Sequence, residues 1–175
     1  RLAAGELPHV ELALVVSSRK NAGGLDRADR AGIKHVYIGK ENFEQDLIKL
    51  LEEHEIDIIV LAGFLKILSS DFVSRYPDRI INVHPSLIPS FCGDGFYGLR
   101  VHEAALSYGV KVTGATVHFV NEVTDGGKII AQRAVDVKDG DTPEILQRRV
   151  MEEAEWKLLP AAVEKVAAEI VARRG

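Results

Sequence analysis

Two stretches, residues 10–16 and 56–62, constrain the fold of this chain most. In the first, Val10, Leu12, Ala13, Leu14, Val15 and Val16 are interrupted only by Glu11. In the second, Asp57 alone breaks the run Ile56, Ile58, Ile59, Val60, Leu61, Ala62. A strand with one wet face alternates polar and apolar residues, whereas a near-continuous apolar run belongs to a strand covered on both faces, as in parallel sheets packed between helices. The intervening residues suit that architecture: a short helix at about Leu25–Ala31, a brief strand at His35–Ile38 and a helix at about Phe43–His54. In the last of these, Phe43, Leu47, Leu50 and Leu51 recur at helical spacing, with Glu44, Asp46, Lys49, Glu52 and Glu53 on the remaining arc. Strand, helix and strand at this spacing predict a right-handed βαβ crossover.

Downstream, Ser69 or Ser70 caps a short helix running to Tyr76, and a strand is expected at Arg79–Val83. Ser90–Gly98, rich in glycine and aromatic residues, reads as a mobile loop. A helix at Val101–Tyr108 ends at Gly109 in the C-cap position. Val110–Val120 and Ile129–Val137 alternate polar and apolar residues around the turn-rich segment Asn121–Gly127, which predicts an antiparallel pair. Thr142-Pro143 opens a final helical stretch, and Pro160 is expected to divide it in two. With 175 residues and no internal repeat or linker, a single domain over residues 1–175 is expected.

Composition narrows the function classes. The chain is 46% hydrophobic and 27% charged with a net charge of -4, and no apolar run approaches the ~20 residues needed to cross a bilayer. Nucleic-acid binding would call for an excess of clustered Lys and Arg, which is not found. The single Cys92 rules out an intrachain disulfide and a thiolate zinc cluster. A reducing, cytoplasmic setting is the expectation. The opening residues Arg1-Leu2-Ala3-Ala4-Gly5-Glu6-Leu7-Pro8 carry neither a start Met nor a signal-peptide pattern. They read as the tail of a helix stopped by Gly and Pro, with a further segment expected ahead of them.

Chemistry concentrates in Ile80-Ile81-Asn82-Val83-His84-Pro85-Ser86-Leu87-Ile88-Pro89. Strand alternation turns Ile81 and Val83 to one face and Asn82 and His84 to the other. Pro85 removes a ladder donor and pushes His84 toward an extended backbone, so the strand ends where the imidazole emerges. Polar residues at a strand end often do no more than satisfy local backbone groups; what favours a site here is the company the pair keeps. Asp125 precedes Gly126-Gly127 in a loop whose glycines let main chain approach a ligand. An Asp in that position commonly just closes its own turn. The sharper reading pairs it with His84: a carboxylate favours the protonated imidazole, and an imidazolium beside an Asn amide makes two donors suited to a developing oxyanion. Asn82, His84 and Asp125 are the candidate catalytic set. His118, in phase opposite to Val117 and Phe119, could line the site, but a satisfied structural histidine is the better reading. Glu152 and Glu155, three residues apart, share a helical face, for which a solvated charged surface is the plain reading. His102, at a helix start, carries no signal, and no His or acidic cluster has metal-ligand spacing. Gly63 to Leu68 follows a strand at its C-terminal end, where open parallel sheets bind ligands.

Four segments in order carry a resemblance: Leu61-Ala62-Gly63-Phe64-Leu65-Lys66-Ile67-Leu68, Asn82 to Pro89, Gly114-Ala115-Thr116-Val117-His118-Phe119-Val120 and Asp125-Gly126-Gly127. Together they resemble the folate-dependent phosphoribosylglycinamide formyltransferases, from near Arg1 to about Ala167. The resemblance implies an α/β, Rossmann-like open and mostly parallel sheet with helices on both faces and an antiparallel C-terminal strand pair. It implies transfer of a formyl group from 10-formyltetrahydrofolate, as cosubstrate and without a metal, to the amine of glycinamide ribonucleotide. It also implies that Asn82 and His84 stabilise the oxyanion while Asp125 keeps the His in the required state. By the same matching, folate lies against Leu65, Lys66, Ile67 and Leu68, against Asn82, and against Asn121, Glu122, Val123, Thr124 and Asp125, largely through main chain. Ribonucleotide meets Glu152, Glu153, Ala154 and Glu155, with Glu155 facing the amine. Partners are then small molecules, not nucleic acid or membrane, in a monomer or weak homodimer.

Departures from the family pattern accompany the match. The family opens with a strand and a Gly-Ser-rich phosphate loop at a helix N-terminus, a stretch without a counterpart in these residues, so the N-terminal strand and phosphate loop are expected to be missing. Lys66 replaces a usual Arg and Lys128 a usual Pro, and Lys40 has no transferred role. The rival expectations are a formyltetrahydrofolate deformylase, a methionyl-tRNA formyltransferase or a folate-binding remnant without turnover. The first two carry additional regulatory or basic domains that the 175 residues do not contain.

Overall fold

The structure, a computed structural model, describes residues 2–64 and 66–175. Its contacts cluster into two units, residues 10–57 and residues 1–9 with 58–175.

In the first unit, β1 (Val15–Ser17) pairs in parallel with β2 (His35–Tyr37), and α1 (Gly23–Arg30) connects them. The βαβ arrangement is the expected one, but β1 is three residues long, not seven. Its ladder can extend only as far as its partner, and β2 offers His35, Val36 and Tyr37. Residues 10–14 therefore lie outside any strand, and Leu12 is exposed. α2 (Phe43–Glu53) buries Phe43, Leu47 and Leu51, the stripe read from its periodicity.

In the second unit, β3 (Ile59–Leu61) runs parallel to β4 (Ile80–His84) across α3 (Ser70–Arg75), which Ser69 caps by accepting the Phe72 N–H. β3 too is shorter than its apolar run. α4 (Leu99–Tyr108) ends at Gly109 in the left-handed region, as glycine permits. β5 (Val112–Phe119) is antiparallel both to β4 and to β6 (Ile129–Asp136), so the sheet order is β3-β4-β5-β6.

One face of this sheet is apolar. Ala115 and Val135 are buried with Leu146, Val150 and Ala154, and Val83, Leu106 and Leu158 pack against them. Each fully buried aliphatic of Val or Leu size contributes about 1.5–3 kcal/mol. The other face presents Asn82 and His84 from β4 and Thr116 and His118 from β5, because the register sets Asn82 opposite His118 and His84 opposite Thr116.

The C-terminal helical stretch departs from expectation at Pro160. α5 (Pro143–Val150), capped by Thr142, leads into a π-helical turn (Met151–Glu155) and then α6 (Trp156–Arg174), which runs straight through Pro160. Proline costs a helix the hydrogen bond of its missing N–H and crowds the carbonyl four residues earlier, here that of Trp156. The helix does not end at that point; the stretch is instead interrupted by the π turn between α5 and α6. That turn also separates Glu152 from Glu155, which an α-helix would set on one face: Glu152 is exposed and Glu155 half-buried.

Candidate active site at the end of β4

His84 is the last residue of β4 and only 4% exposed. Its Nε2–H donates to the Phe91 carbonyl at 2.8 Å, and its Nδ1 lies 3.5 Å from Asp125 Oδ2. Asp125 arrives from the loop after β5, which turns back over the polar face of the sheet. The turn is built locally: Asn121 accepts the Val123 N–H and donates to the Gly126 carbonyl, and Gly126 N–H closes on Val123. Gly127 must be glycine, since a Cβ there would sit 1.7 Å from the Phe119 carbonyl oxygen. Asp125 itself adopts φ 54°, a left-handed conformation that Asp tolerates better than most residues. Its carboxylate also accepts the Gly93 N–H at 2.9 Å.

Asn82 and His118 complete the cluster. Asn82 Nδ2 lies 3.2 Å from His118 Nε2, while His118 Nδ1 lies 2.9 Å from the Phe119 carbonyl. A carbonyl can only accept, so Nδ1 carries the proton and Nε2 is the acceptor for the Asn82 amide. His118 is thus neutral, in accord with a pKa lowered chiefly by burial. Asp125 Oδ1 stands 3.7 Å from its Nε2. The carboxylate therefore sits between two imidazoles, and the structure brings together Asn82, His84, Asp125 and His118, for which lining the site was the less favoured of two readings. The signal that could have found His118 was its strand phase, which puts it on the same face as its cross-strand neighbour Asn82.

Ser90–Gly98 is not a free loop. Besides the Phe91 and Gly93 backbone bonds, Ser86 Oγ donates to the Ser90 carbonyl, and the Phe91 ring meets Phe96 and Tyr108 edge-on. Cys92 in this loop has its thiol pKa raised by burial and by Asp125. These backbone contributions are invisible in sequence, because any residue carries the same N–H and C=O.

The remaining expected contacts are placed as follows. Lys66 and Ile67 are exposed and Leu68 half-buried, in the segment following β3; because β3 and β4 are parallel, this segment leaves the sheet at the same end as His84. Leu65 lies outside the described residues. Glu122, Val123 and Thr124 are exposed on the Asp125 loop. Glu152, Glu153, Ala154 and Glu155 all fall in the π turn, a distortion that recurs at functional sites. Ala154 is fully buried in the core, and burial raises the Glu155 pKa. Shallow concavities on the outer surface of α5 are lined by Glu144, Arg148 and Glu152 and include none of the β4 cluster. Among the described residues no group of three His, Cys, Asp or Glu is arranged to hold a metal ion, and no helix is long and apolar enough to cross a membrane.

His102, on α4, is fully buried with neither ring nitrogen hydrogen-bonded to protein. Burial, with the nearby His84 adding to it, lowers its pKa to about 4.

The Formyl transferase family model matches residues 2–163. The chain is 45% identical over 163 residues to the human trifunctional purine biosynthetic protein adenosine-3, covering 90% of this chain and 16% of that protein. It is 40% identical over 150 residues to the chloroplastic phosphoribosylglycinamide formyltransferase of Arabidopsis thaliana, covering 82% of this chain and 51% of the plant protein. The crystal structure of glycinamide ribonucleotide transformylase 1 from Symbiobacterium toebii superposes with a TM-score of 0.87 at 37% identity, over 96% of this chain and 79% of that one. The chain thus spans about a sixth of the first of these curated relatives and about half of the second, and from residue 2 to residue 163 it belongs to the formyl transferase family.

Proposed function

We propose that this chain transfers a formyl group from 10-formyltetrahydrofolate to the amine of glycinamide ribonucleotide, and that its two contact units are parts of one formyltransferase domain. The observation that carries the reading is the convergence of Asn82, His84 and Asp125 on the polar face of β4. The names of the relatives support the substrates, and the family match across both units supports the single domain.

In this reading the amine nitrogen attacks the formyl carbon, a C–N bond forms and the carbonyl oxygen becomes an oxyanion. Asn82 gives one amide hydrogen to His118 and has a second free to meet that oxygen. His84 supplies Nε2–H once a formyl oxygen replaces or shares the Phe91 carbonyl. Asp125, at Nδ1 of His84, holds the ring, stabilises positive charge on it while its Nε2–H faces the oxyanion, and can relay the amine's proton toward N10 as the intermediate collapses. The bond from the formyl carbon to folate N10 then breaks, and the proton lost by the amine ends on N10. Folate is placed against Lys66–Leu68 and the Asn121–Asp125 loop, ribonucleotide against the π turn with Glu155 facing the amine. The cosubstrate chemistry needs no metal, the partners are these small molecules, and the working place is the cytoplasm with a monomer or weak homodimer.

The test is an assay with both substrates that measures formylated ribonucleotide against formate. Formylated product supports the proposal. Formate released at the same rate with and without ribonucleotide would identify a hydrolase instead, and folate binding without either product would identify a non-catalytic folate binder.

A further inference from the structure

We propose that Thr116 and Gln132 are positioning residues that fix the orientation and tautomer of His84 through the Ser86–Ser90 turn; this rests on His84 being the working group of the formyltransferase reading. The three residues form a single row across the sheet: His84 of β4 is in register with Thr116 of β5, and Thr116 with Gln132 of β6. Thr116 is fully buried, yet its hydroxyl is saturated. It donates to the Ser86 carbonyl at 2.7 Å and accepts from the Ile88 N–H at 3.0 Å and from Gln132 Nε2 at 3.0 Å. That is one donor and two acceptor sites, the full capacity of a hydroxyl. Packing alone at a buried strand position would favour Val, which has the same shape and no polar atom to satisfy.

Gln132 is exposed, and its amide nitrogen has water available, but it bonds to Thr116 and, at 3.0 Å, to the Ile88 carbonyl. Both amide hydrogens are thereby committed to protein. Main-chain groups of Ser86 and Ile88 are thus held by two side chains that no chemistry of formyl transfer requires. The constraint reaches His84 by a short path. Ser86 Oγ donates to the Ser90 carbonyl at 2.5 Å, and the next residue, Phe91, supplies the carbonyl that accepts His84 Nε2–H. With that acceptor in place Nε2 must carry a proton, while Nδ1 faces the Asp125 carboxylate. With it displaced, Nε2 loses that acceptor, the Asp125 carboxylate favours a proton on Nδ1, and the ring loses its fixed direction.

The experiment uses the full chain and three variants, Thr116→Val, Thr116→Ser and Gln132→Leu, with thermal unfolding to establish that each is folded. Long-range proton–nitrogen NMR of the ligand-free protein reads the His84 tautomer, and steady-state kinetics reads kcat and KM. The expected wild-type spectrum shows a single state with Nε2 protonated. Thr116→Val should give a mixture and lower kcat by about 10²-fold with KM near wild type, as expected for misplacement of a group that acts in the transition state. Thr116→Ser, which keeps the hydroxyl, should restore both. Gln132→Leu, at an exposed site where folding is not at issue, should show the tautomer mixture with a smaller loss of rate.

A single unchanged tautomer in both Thr116→Val and Gln132→Leu would overturn the proposal, as would failure of Thr116→Ser to restore what Thr116→Val loses. Because the tautomer is read without substrate, a mixture in the variants of a wild-type chain that has no formyl transfer would uphold the positioning role while removing the proposed reaction.

Discussion

The amide nitrogen of Asn82 lies 3.2 Å from Nε2 of its cross-strand neighbour His118, whose other ring nitrogen is tied to the Phe119 carbonyl. The histidine therefore dictates which end of the amide is nitrogen, and so which group faces the reacting carbonyl. Asn82→Ala should lower kcat on the order of 10²-fold or more, as loss of an oxyanion donor does. His118→Phe should leave the amide free to turn and lower kcat by roughly 10-fold, with substrate KM values little changed. Steady-state kinetics on both variants decides this; a normal rate for Asn82→Ala would remove the amide from the chemistry.

His84 and Asp125 act as a pair in the same reading. His84→Ala should abolish turnover while folate affinity stays within about a few-fold, because the ring works mainly on the transition state. Asp125→Asn keeps the Gly93 contact possible but loses the charge beside Nδ1, so the rate should fall and the pH profile of kcat should change shape. A reduced rate with an unaltered pH profile would assign Asp125 to positioning alone.

His102 gives a prediction about stability. Its pKa in the folded protein is lowered from 6.5 to about 4 by burial, so between these values the unfolded chain binds a proton that the folded chain refuses. Above pH 6.5 the group contributes no pH dependence; as pH falls from about 6.5 to about 4, stability is progressively lost. Replacing it with an apolar residue of similar size, His102→Leu, should flatten this part of the curve. The same change relieves two buried nitrogens without protein partners. Denaturant unfolding at pH 7.5, 5.5 and 4.5 measures it, and parallel pH curves for the two proteins would contradict it.

Glu155 should matter to one ligand more than the other. If its half-buried carboxylate meets the ribonucleotide amine, Glu155→Ala should weaken ribonucleotide binding by about 10- to 100-fold, the worth of a charge-assisted hydrogen bond. Folate binding should change little. Burial raises the Glu155 pKa above 4.5, so ribonucleotide affinity should begin to fall at a higher pH than an ordinary carboxylate would impose. Calorimetric titration with each ligand separates the cases, and a larger loss for folate would reverse their placement.

The sequence by itself determined the elements and the faces they present. Alternation in β4 already separated Asn82 and His84 from Ile81 and Val83; Ser69, Thr142 and Gly109 marked helix ends that the structure keeps; and the glycines after Asp125 announced a tight turn. These signals are local, carried by periodicity and by backbone preferences of single residues. Strand length was not legible, because residues 10–14 and 56–58 can enter a ladder only where a partner lies alongside. The π turn at Met151–Glu155 also escaped: Pro160, the one helix breaker in this stretch, lies beyond it inside α6, and no residue of the turn itself announces a wider winding. Only the tertiary structure decided that His118 stands against Asn82, that Asp125 folds back between two imidazoles, and that Thr116 and Gln132 hold the turn beyond His84. Those contacts join residues between 7 and 44 positions apart through strand register and main-chain groups, and neither register nor a carbonyl's direction is written in any one segment.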